Sequence, residues 1–187
     1  GVQTCALPIL VNRLLSLESR VDAQKLRTGD LQDSDWEKLI AGATSISRSK
    51  LIIDDTPGIT ISQMRSKCRK YKQENDLKLI MVDYLQLMEA DKDRDSSSLS
   101  QQQKISDISR ALKGLARELE VPLIALSQLN RGVEGRPDKR PLLSDLRDSG
   151  AIEQDADIVM FIYRDDYYHK DTEEHPQGAD YSHARTG

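Results

Sequence analysis

The chain has 187 residues, 37% of them hydrophobic and 31% charged, which is enough for one compact domain with a core and too few for two large domains. Its 27 Lys and Arg against 31 Asp and Glu give a net charge of -4, so no overall cationic surface indicates a nucleic-acid or membrane partner, and any anion site must be local. Aromatic residues, at 4%, are too few for base-stacking platforms, no apolar run is long enough to span a membrane, and two cysteines favour a cytosolic protein over a disulfide scaffold or zinc site.

The first nine residues, GVQTCALPI, have neither helical nor strand periodicity. Read back into codons, they are compatible with translation of a sequencing-library adapter, and the helix that follows starts without a capping residue. We therefore expect residues 1–9 to be a non-native segment, with the natural protein continuing upstream. The alternative is a disordered native N-terminus.

Two helices are predicted between residues 10 and 50. Ser34 and Glu37 have the spacing of a capping box, which predicts the start of the second helix, and the segment 20–30, RVDAQKLRTGD, would join the two. A β-branched run at 51–55 then closes in a Pro-Gly turn. The apolar faces of the two helices are expected to carry Val11, Leu14 and Leu15 in the first, and Trp36, Leu39, Ile40 and Ala43 in the second.

The remaining chain alternates predicted helices and strands. Thr60 and Gln63 cap a helix, and three apolar runs at 77–85, 121–129 and 157–163 predict buried strands, the first of them covered on both faces. This order predicts an α/β fold, with a mostly parallel sheet and helices on both of its faces. The helical stripes comprise Ile61, Met64, Cys68 and Tyr71, and then Ile105, Ile108, Leu112, Leu115 and Leu119.

Polar residues end two of the predicted strands, at the edge where parallel sheets bind ligands. Asp83 follows four apolar residues, which is the pattern of a Walker B strand whose carboxylate orients Mg²⁺ on a nucleotide. Many buried strands also end in an aspartate that only caps a turn. Gln128, in SQLNR, could hold a γ-phosphate or an attacking water, although a turn satisfied by its amides is the commoner case.

Two further segments could contact phosphate. The loop 131–140, RGVEGRPDKR, is basic in an acidic chain and suits phosphate contact, beginning with Arg131, although it could be a solvated excursion. The stretch 144–157, SDLRDSGAIEQDAD, has five carboxylates and Arg147, and its spacing matches no calcium loop. A tight turn around Gly150 would instead offer backbone N–H groups and Arg147 to a phosphate chain.

Six segments in sequential order resemble the C-terminal motor domain of the DnaB family of replicative DNA helicases. They are RTGDLQDSDWEKL, LIMVDYLQLM, VPLIALSQLNR, DKRP, SDLRDSGAIEQDAD and IVMFIYRDDYY. The resemblance implies a RecA-like α/β core, a homo-hexameric ring, hydrolysis of ATP with Mg²⁺ between subunits, and movement on single-stranded DNA. It further implies a primase and a helicase loader as partners, no membrane, and a cytoplasmic location at the nucleoid.

The resemblance also assigns roles to individual residues. Asp83 matches the Walker B aspartate that binds Mg²⁺ through water, and Gln128 matches the catalytic glutamine that senses the γ-phosphate. Arg147, Asp148 and Gly150 match the segment that follows the DNA backbone, and Arg131 joins them as a predicted DNA contact.

The chain departs from the family pattern at both ends. No G-x-x-x-x-G-K-[ST] phosphate loop occurs, and the catalytic glutamate should stand just before Leu10, so the chain alone is expected to lack ATPase activity. We expect a partial RecA-like motor domain at 10–174, incomplete at both ends. The tail 175–187 reads as divergent or frame-shifted, so Arg185 does not carry over as the arginine finger. The alternatives are a RecA- or RadA-type recombination ATPase and a non-catalytic regulator that binds a ring.

Overall fold

The computed structural model describes residues 6–91, 100–163, 168 and 180–185, and of residues 6, 147–151 and 180–185 it describes the backbone only. The chain divides into two compact units, Gly1–Thr56 and Pro57–Gly187. Within the described residues, no helix is both long enough and apolar enough to cross a membrane.

The first unit contains three helices, α1 (Ala6–Ser19), α2 (Ala23–Thr28) and α3 (Asp33–Arg48). The sequence predicted two, and the short helix α2 lies in the segment predicted to join them. Asp22 caps α2 by accepting a hydrogen bond from the Gln24 N–H at 2.6 Å. Gly29 ends it in the left-handed conformation, with φ of 76°, which glycine adopts without strain.

The predicted capping box of α3 is wrong by two residues. The helix begins after Gln32, and the Asp35 carboxylate accepts the Gln32 N–H at 3.2 Å, so Ser34 and Glu37 lie inside the helix. The same carboxylate also accepts a hydrogen bond from Lys25 Nζ of α2 at 3.0 Å. That bond, together with the Gln32 N–H, holds the pKa of Asp35 below its ordinary value. The Asp35 carboxylate therefore has two roles: it caps the start of α3 and it joins α3 to α2.

The apolar stripe predicted on α3 is mostly exposed. Leu39 is buried, but Trp36 and Ile40 are 54% and 66% exposed. The buried face is instead formed by Asp35, Leu39 and Gly42, which have helical spacing. A Cβ atom at Gly42 would lie 3.1 Å from the backbone nitrogen of Ser19, so the glycine allows α1 and α3 to approach closely.

The second unit is mixed α/β with a small parallel sheet. Strand β1 pairs in parallel with β2, Ile80 lying opposite Leu123, and β3 pairs with β4 in antiparallel fashion. Its helices and strands are α4 (Ile61–Asn75), β1 (Ile80–Val82), α5 (Gln101–Leu119), β2 (Leu123–Ala125), α6 (Gly150–Asp155), β3 (Ile158–Tyr163) and β4 (Asp180–Arg185). Three 3₁₀ helices connect them, at Leu85–Leu87, Arg131–Gly135 and Leu143–Ser149.

The two long helices of this unit agree with the sequence prediction. Thr60 and Gln63 form the capping box of α4, and Ile61, Met64 and Cys68 are buried, whereas Tyr71 is only partly buried. All five apolar residues predicted on α5 are buried, and Leu115 is fully enclosed. These stripes pack with Ile80, Leu85, Met88 and Val121 into the main core. That core fixes the positions of the strand ends.

The strands are shorter and less buried than predicted. Strand β1 covers three residues of the predicted nine, and its Met81 is 62% exposed although the run was predicted to be buried on both faces. In β3 every second residue is exposed. The apolar runs have the composition of doubly covered strands, but within the described residues β3 is packed on one face only.

Candidate functional site

The carboxyl ends of β1 and β2 lie side by side, because the two strands are parallel and in register. Val82 lies opposite Ala125, and the pairing continues past the strands, with the Leu126 N–H donating to the Val82 carbonyl at 2.9 Å. The Leu85 N–H then donates to the Leu126 carbonyl at 3.0 Å. Asp83 and Gln128, both exposed, therefore follow neighbouring strand ends at one edge of the sheet, as the sequence predicted.

Gln86 joins the two strand ends, although no sequence pattern points to it. Its Nε2 atom donates to Ser127 Oγ at 3.0 Å and to the Gln128 carbonyl at 3.5 Å. Its Oε1 atom accepts the Gln128 N–H at 3.3 Å. A glutamine inside the otherwise apolar segment LQLM matches no helical or strand period and no motif spacing, so only the structure shows this contact.

A buried ion pair holds the segment after β2 against the segment before α6. The Asp145 side chain is 5% exposed, and its carboxylate accepts hydrogen bonds from both terminal nitrogens of Arg136. The bond from Nη1 is 3.0 Å long. The same carboxylate also accepts the Leu142 N–H at 2.7 Å, and the Asp145 carbonyl accepts the Asn130 N–H at 3.1 Å. The sequence placed Arg136 in a phosphate-binding loop and Asp145 in an acidic stretch, whereas the structure makes them one bidentate pair.

This pair makes stability depend on pH. The Arg136 guanidinium, and then the Leu142 N–H, hold the pKa of Asp145 below its ordinary value of 3.8, against the opposing effect of burial. A carboxylate with a lowered folded-state pKa contributes stability above its unfolded pKa, and that stability is lost as pH falls through the folded-state value.

We therefore expect Asp145→Asn to lower the melting temperature of the chain by about 5 °C at pH 7. The difference from the unchanged chain should shrink as pH falls below about 4, because Asp145 is then protonated first in the unfolded chain and, at its lower folded-state pKa, in the folded chain as well. Thermal unfolding followed by circular dichroism at pH 7 and pH 3 measures it. The control is Asp157→Asn, since that side chain is 87% exposed and its ion pair with Lys113 contributes little. A difference that is the same at both pH values would contradict the expectation.

Most cations of the loop 131–140 already have partners. Besides Arg136, Arg140 lies 4.5 Å from the ring centre of Tyr163, and Lys139 lies 4.9 Å from that of Tyr168. The two tyrosine rings stack with their centres 5.6 Å apart. Arg131 is exposed, at the start of a 3₁₀ helix. Among the cations of this loop, Arg131 is therefore the one best placed to meet an anion. The loop thus offers fewer cations to a phosphate than its net charge predicted.

The predicted tight turn around Gly150 is wrong. The 3₁₀ helix Leu143–Ser149 continues directly into α6, and Gly150 is the first residue of that helix. The helix α6 is held by Lys113 of α5, whose Nζ donates to the Asp155 carbonyl at 2.6 Å and to Asp157 at 3.0 Å. The side chains of Arg147 and Asp148 lie outside the described part of the structure. Asp145, two residues before Arg147, connects this segment to the strand edge, because its carbonyl accepts the Asn130 N–H.

In the described part of the chain, no group of three or more His, Cys, Asp or Glu side chains could hold a metal ion alone. The five carboxylates of 144–157 thus form no such cluster within that part. Asp83 offers a single exposed carboxylate at the strand edge. One carboxylate suits Mg²⁺, which commonly takes its remaining ligands from phosphates and water.

Comparison with known proteins shows the family of the chain. The sequence model for the DnaB-like helicase C terminal domain matches residues 7–186. The chain belongs to this DnaB-like family. It is 57% identical over 164 residues to the replicative DNA helicase DnaC of Bacillus subtilis (strain 168), and 57% identical over 164 residues to the replicative DNA helicase DnaB of Geobacillus stearothermophilus. Each alignment covers 88% of the chain and 36% of the relative, so the chain spans about a third of the length of these proteins.

Two solved structures have the same fold. One is described as an ATPase domain and superposes with a TM-score of 0.79 at 41% identity, covering 92% of this chain and 65% of that one. The other is a DnaB-like replicative helicase, described with its interactions with primase, and superposes with a TM-score of 0.82 at 42% identity, covering 92% of this chain and 43% of that one. The DnaB-like assignment therefore stands on sequence and on structure, and it favours the DnaB-like family over the RecA- and RadA-type recombination ATPases.

Proposed function

We propose that this chain is part of an ATP-driven replicative DNA helicase that moves on single-stranded DNA. The observation that carries the proposal is the strand edge, where Asp83 and Gln128 follow two parallel strands and are joined through Gln86. A motor needs one group that responds to bound nucleotide and another that touches the track. The same edge is tied by Asn130 and Asp145 to the segment that carries Arg147.

Asp83 and Gln128 form the proposed nucleotide side of the site. Asp83 would hold Mg²⁺ through a water molecule, and its exposed carboxylate at the strand edge fits that role. When bound with ATP, Mg²⁺ neutralises charge on the phosphate oxygens during phosphoryl transfer. The Gln128 amide, one strand away, would donate to the γ-phosphate, so loss of that phosphate removes a contact at the end of β2.

The proposed DNA side comprises Arg147, Asp148 and Gly150, together with Arg131, which follows Asn130. A helicase must move over any sequence, so its contacts go to phosphates and not to base edges. Arg147 supplies a cation, and Gly150 leaves its backbone uncovered by a side chain. The hydrogen bond from the Asn130 N–H to the Asp145 carbonyl connects this segment to the nucleotide side.

Several features of the proposal extend beyond these residues. We place the chain in a homo-hexameric ring, with a helicase loader and a primase as partners, in the cytoplasm at the nucleoid. The similarity to a DnaB-like helicase described with primase supports the primase partner. We further propose a RecA-like, mostly parallel sheet covered on both faces in the whole protein. Residues 10–174 would then be the motor segment, with 1–9 and 175–187 outside it.

A chimera tests the function. We would replace the aligned segment of the Geobacillus stearothermophilus helicase with residues 10–174 of this chain, and we call the product the restored helicase. It should hydrolyse ATP in response to single-stranded DNA and unwind a forked duplex, whereas the 187-residue chain alone should do neither. A restored helicase that forms rings and binds ATP, yet neither hydrolyses it nor unwinds DNA, would favour a non-catalytic role.

A further inference from the structure

The side chain of Gln86 occupies a fixed place between the two strand ends of the proposed nucleotide site. Its neighbour Leu85 is 2% exposed and is part of the main core. Leu85 also donates its N–H to the Leu126 carbonyl at 3.0 Å, so the 3₁₀ helix Leu85–Leu87 is attached to the end of β2. Because both the side chain and the backbone of Leu85 are fixed, the next residue can point in few directions.

The hydrogen-bonding groups around the Gln86 amide determine which of its two ends is the oxygen Oε1 and which is the nitrogen Nε2. The Gln128 N–H needs an acceptor, which Oε1 supplies at 3.3 Å. Ser127 Oγ and the Gln128 carbonyl then receive the Nε2 hydrogens, at 3.0 and 3.5 Å. With the amide reversed, two donors would face each other at Gln128. The orientation is therefore set by the backbone that the amide holds.

All three hydrogen bonds leave the side-chain amide of Gln128 uninvolved. They reach its N–H, its carbonyl and the neighbouring serine hydroxyl. The strand β2 itself ends at Ala125 and its pairing with the β1 segment ends at Leu126, so Ser127 and Gln128 lie beyond the regular pairing of the sheet. Without Gln86, the Gln128 peptide groups would lose partners that the strand ladder does not replace.

We infer that Gln86 is a positioning residue, which holds the Gln128 backbone so that the Gln128 amide is aimed at the γ-phosphate. The inference rests on the function proposed above, in which Gln128 senses that phosphate. Gln86 lies three residues after Asp83, in the segment that follows β1, and it holds the Gln128 backbone, so it connects the two strand ends of the proposed nucleotide site. A displacement of an aligned group by about 1 Å can cost orders of magnitude in rate, so such a clamp has a measurable effect.

The first test uses Gln86→Met in the restored helicase, because methionine has a similar length and cannot make these hydrogen bonds. We expect the DNA-stimulated kcat to fall about tenfold, while KM for ATP changes by less than about twofold. Gln102→Ala, an exposed position in the first turn of α5, is the control and should change neither value. An unchanged DNA-stimulated kcat in Gln86→Met would overturn the inference.

A double variant separates this inference from the proposed function. If Gln86 acts through Gln128, then adding Gln86→Met to Gln128→Ala should lower the DNA-stimulated kcat by less than about twofold further. Effects that multiply in the double variant would show that Gln86 acts by another route and would overturn the inference. If Gln128→Ala alone leaves hydrolysis and unwinding unchanged, the proposed role of Gln128 fails instead.

Amide hydrogen exchange in the 187-residue chain tests the contact without activity. Gln86→Met should speed exchange at the Gln128 N–H and leave Leu126 unchanged, because the Leu126 N–H is bonded to the Val82 carbonyl. Gln86→Ala, measured in the same way, covers the case in which methionine disturbs the packing. Equal exchange at Gln128 with and without the Gln86 amide would overturn the inference.

Discussion

Replacing Asp83 with asparagine in the restored helicase is expected to lower ATP turnover on the order of 100-fold while leaving nucleotide affinity within about threefold. The change keeps the size of an exposed side chain at the end of β1 and removes only its charge. The carboxylate stabilises the metal and the charge that develops in the transition state more than it stabilises bound ATP. Steady-state hydrolysis and binding of a fluorescent nucleotide measure the two quantities.

The control for this variant is Asp55→Asn, an exposed aspartate in the other unit of the chain. It should leave turnover unchanged. Full turnover in Asp83→Asn would remove Asp83 from the metal site. A loss of nucleotide affinity as large as the loss of turnover would mean that Asp83 contributes mainly to ground-state binding.

Arg147→Ala should weaken single-stranded DNA binding by the restored helicase equally for all base compositions, and should abolish unwinding while sparing basal hydrolysis. A lost phosphate contact on a single strand should lower the slope of log affinity against log salt by about 0.7 for each subunit engaged. Affinity for polypyrimidine and mixed-sequence strands over a series of salt concentrations measures this slope. The segment is suited to the role because its backbone is fixed to the strand edge through Asp145.

Arg117→Ala is the matched control for this experiment. Arg117 is exposed in the last turn of α5, and α5 leads into the amino end of β2, so it lies away from the carboxyl edge. Its removal should leave the salt slope unchanged. If Arg147→Ala also leaves the slope unchanged, the DNA path lies elsewhere. Arg131 is then the next candidate, since the other cations of its loop contact Asp145, Tyr163 and Tyr168.

Periodicity and motif spacing predicted the parts of the fold that local sequence determines. The stripe of α5 repeats at helical spacing over five residues, and all of them are buried. The Thr60 and Gln63 pair likewise caps α4. The motif at Ser34 has the same spacing but fails, because Asp35 gains a lysine partner from α2 that no local pattern contains. Local rules identify a helix, and tertiary partners decide where it starts.

The site residues divide in a similar way. Asp83 and Gln128 could be predicted because each follows an apolar strand, and parallel strands bring their ends together. Gln86 could not, because its partners Ser127 and Gln128 are far away in sequence. The pair of Arg136 with Asp145 could not either, because its spacing of nine residues matches no helical or strand period. Net charge made the loop 131–140 look like a free cationic surface. Charge counts alone do not show which cations are already paired.

The exposed indole of Trp36 on α3 determines what tryptophan fluorescence can report in this protein. Trp36 is the single tryptophan of the chain, and it is 54% exposed on a helix of the first unit. Because about half of Trp36 is in contact with water in the folded chain, we expect its emission to change less on unfolding than that of a buried tryptophan and to be quenched by iodide. A polypeptide that covers α3 would shift the emission to shorter wavelength and shield it from the quencher. Tryptophan fluorescence therefore reports on the surface of the first unit and leaves events at Asp83 and Gln128 to other probes.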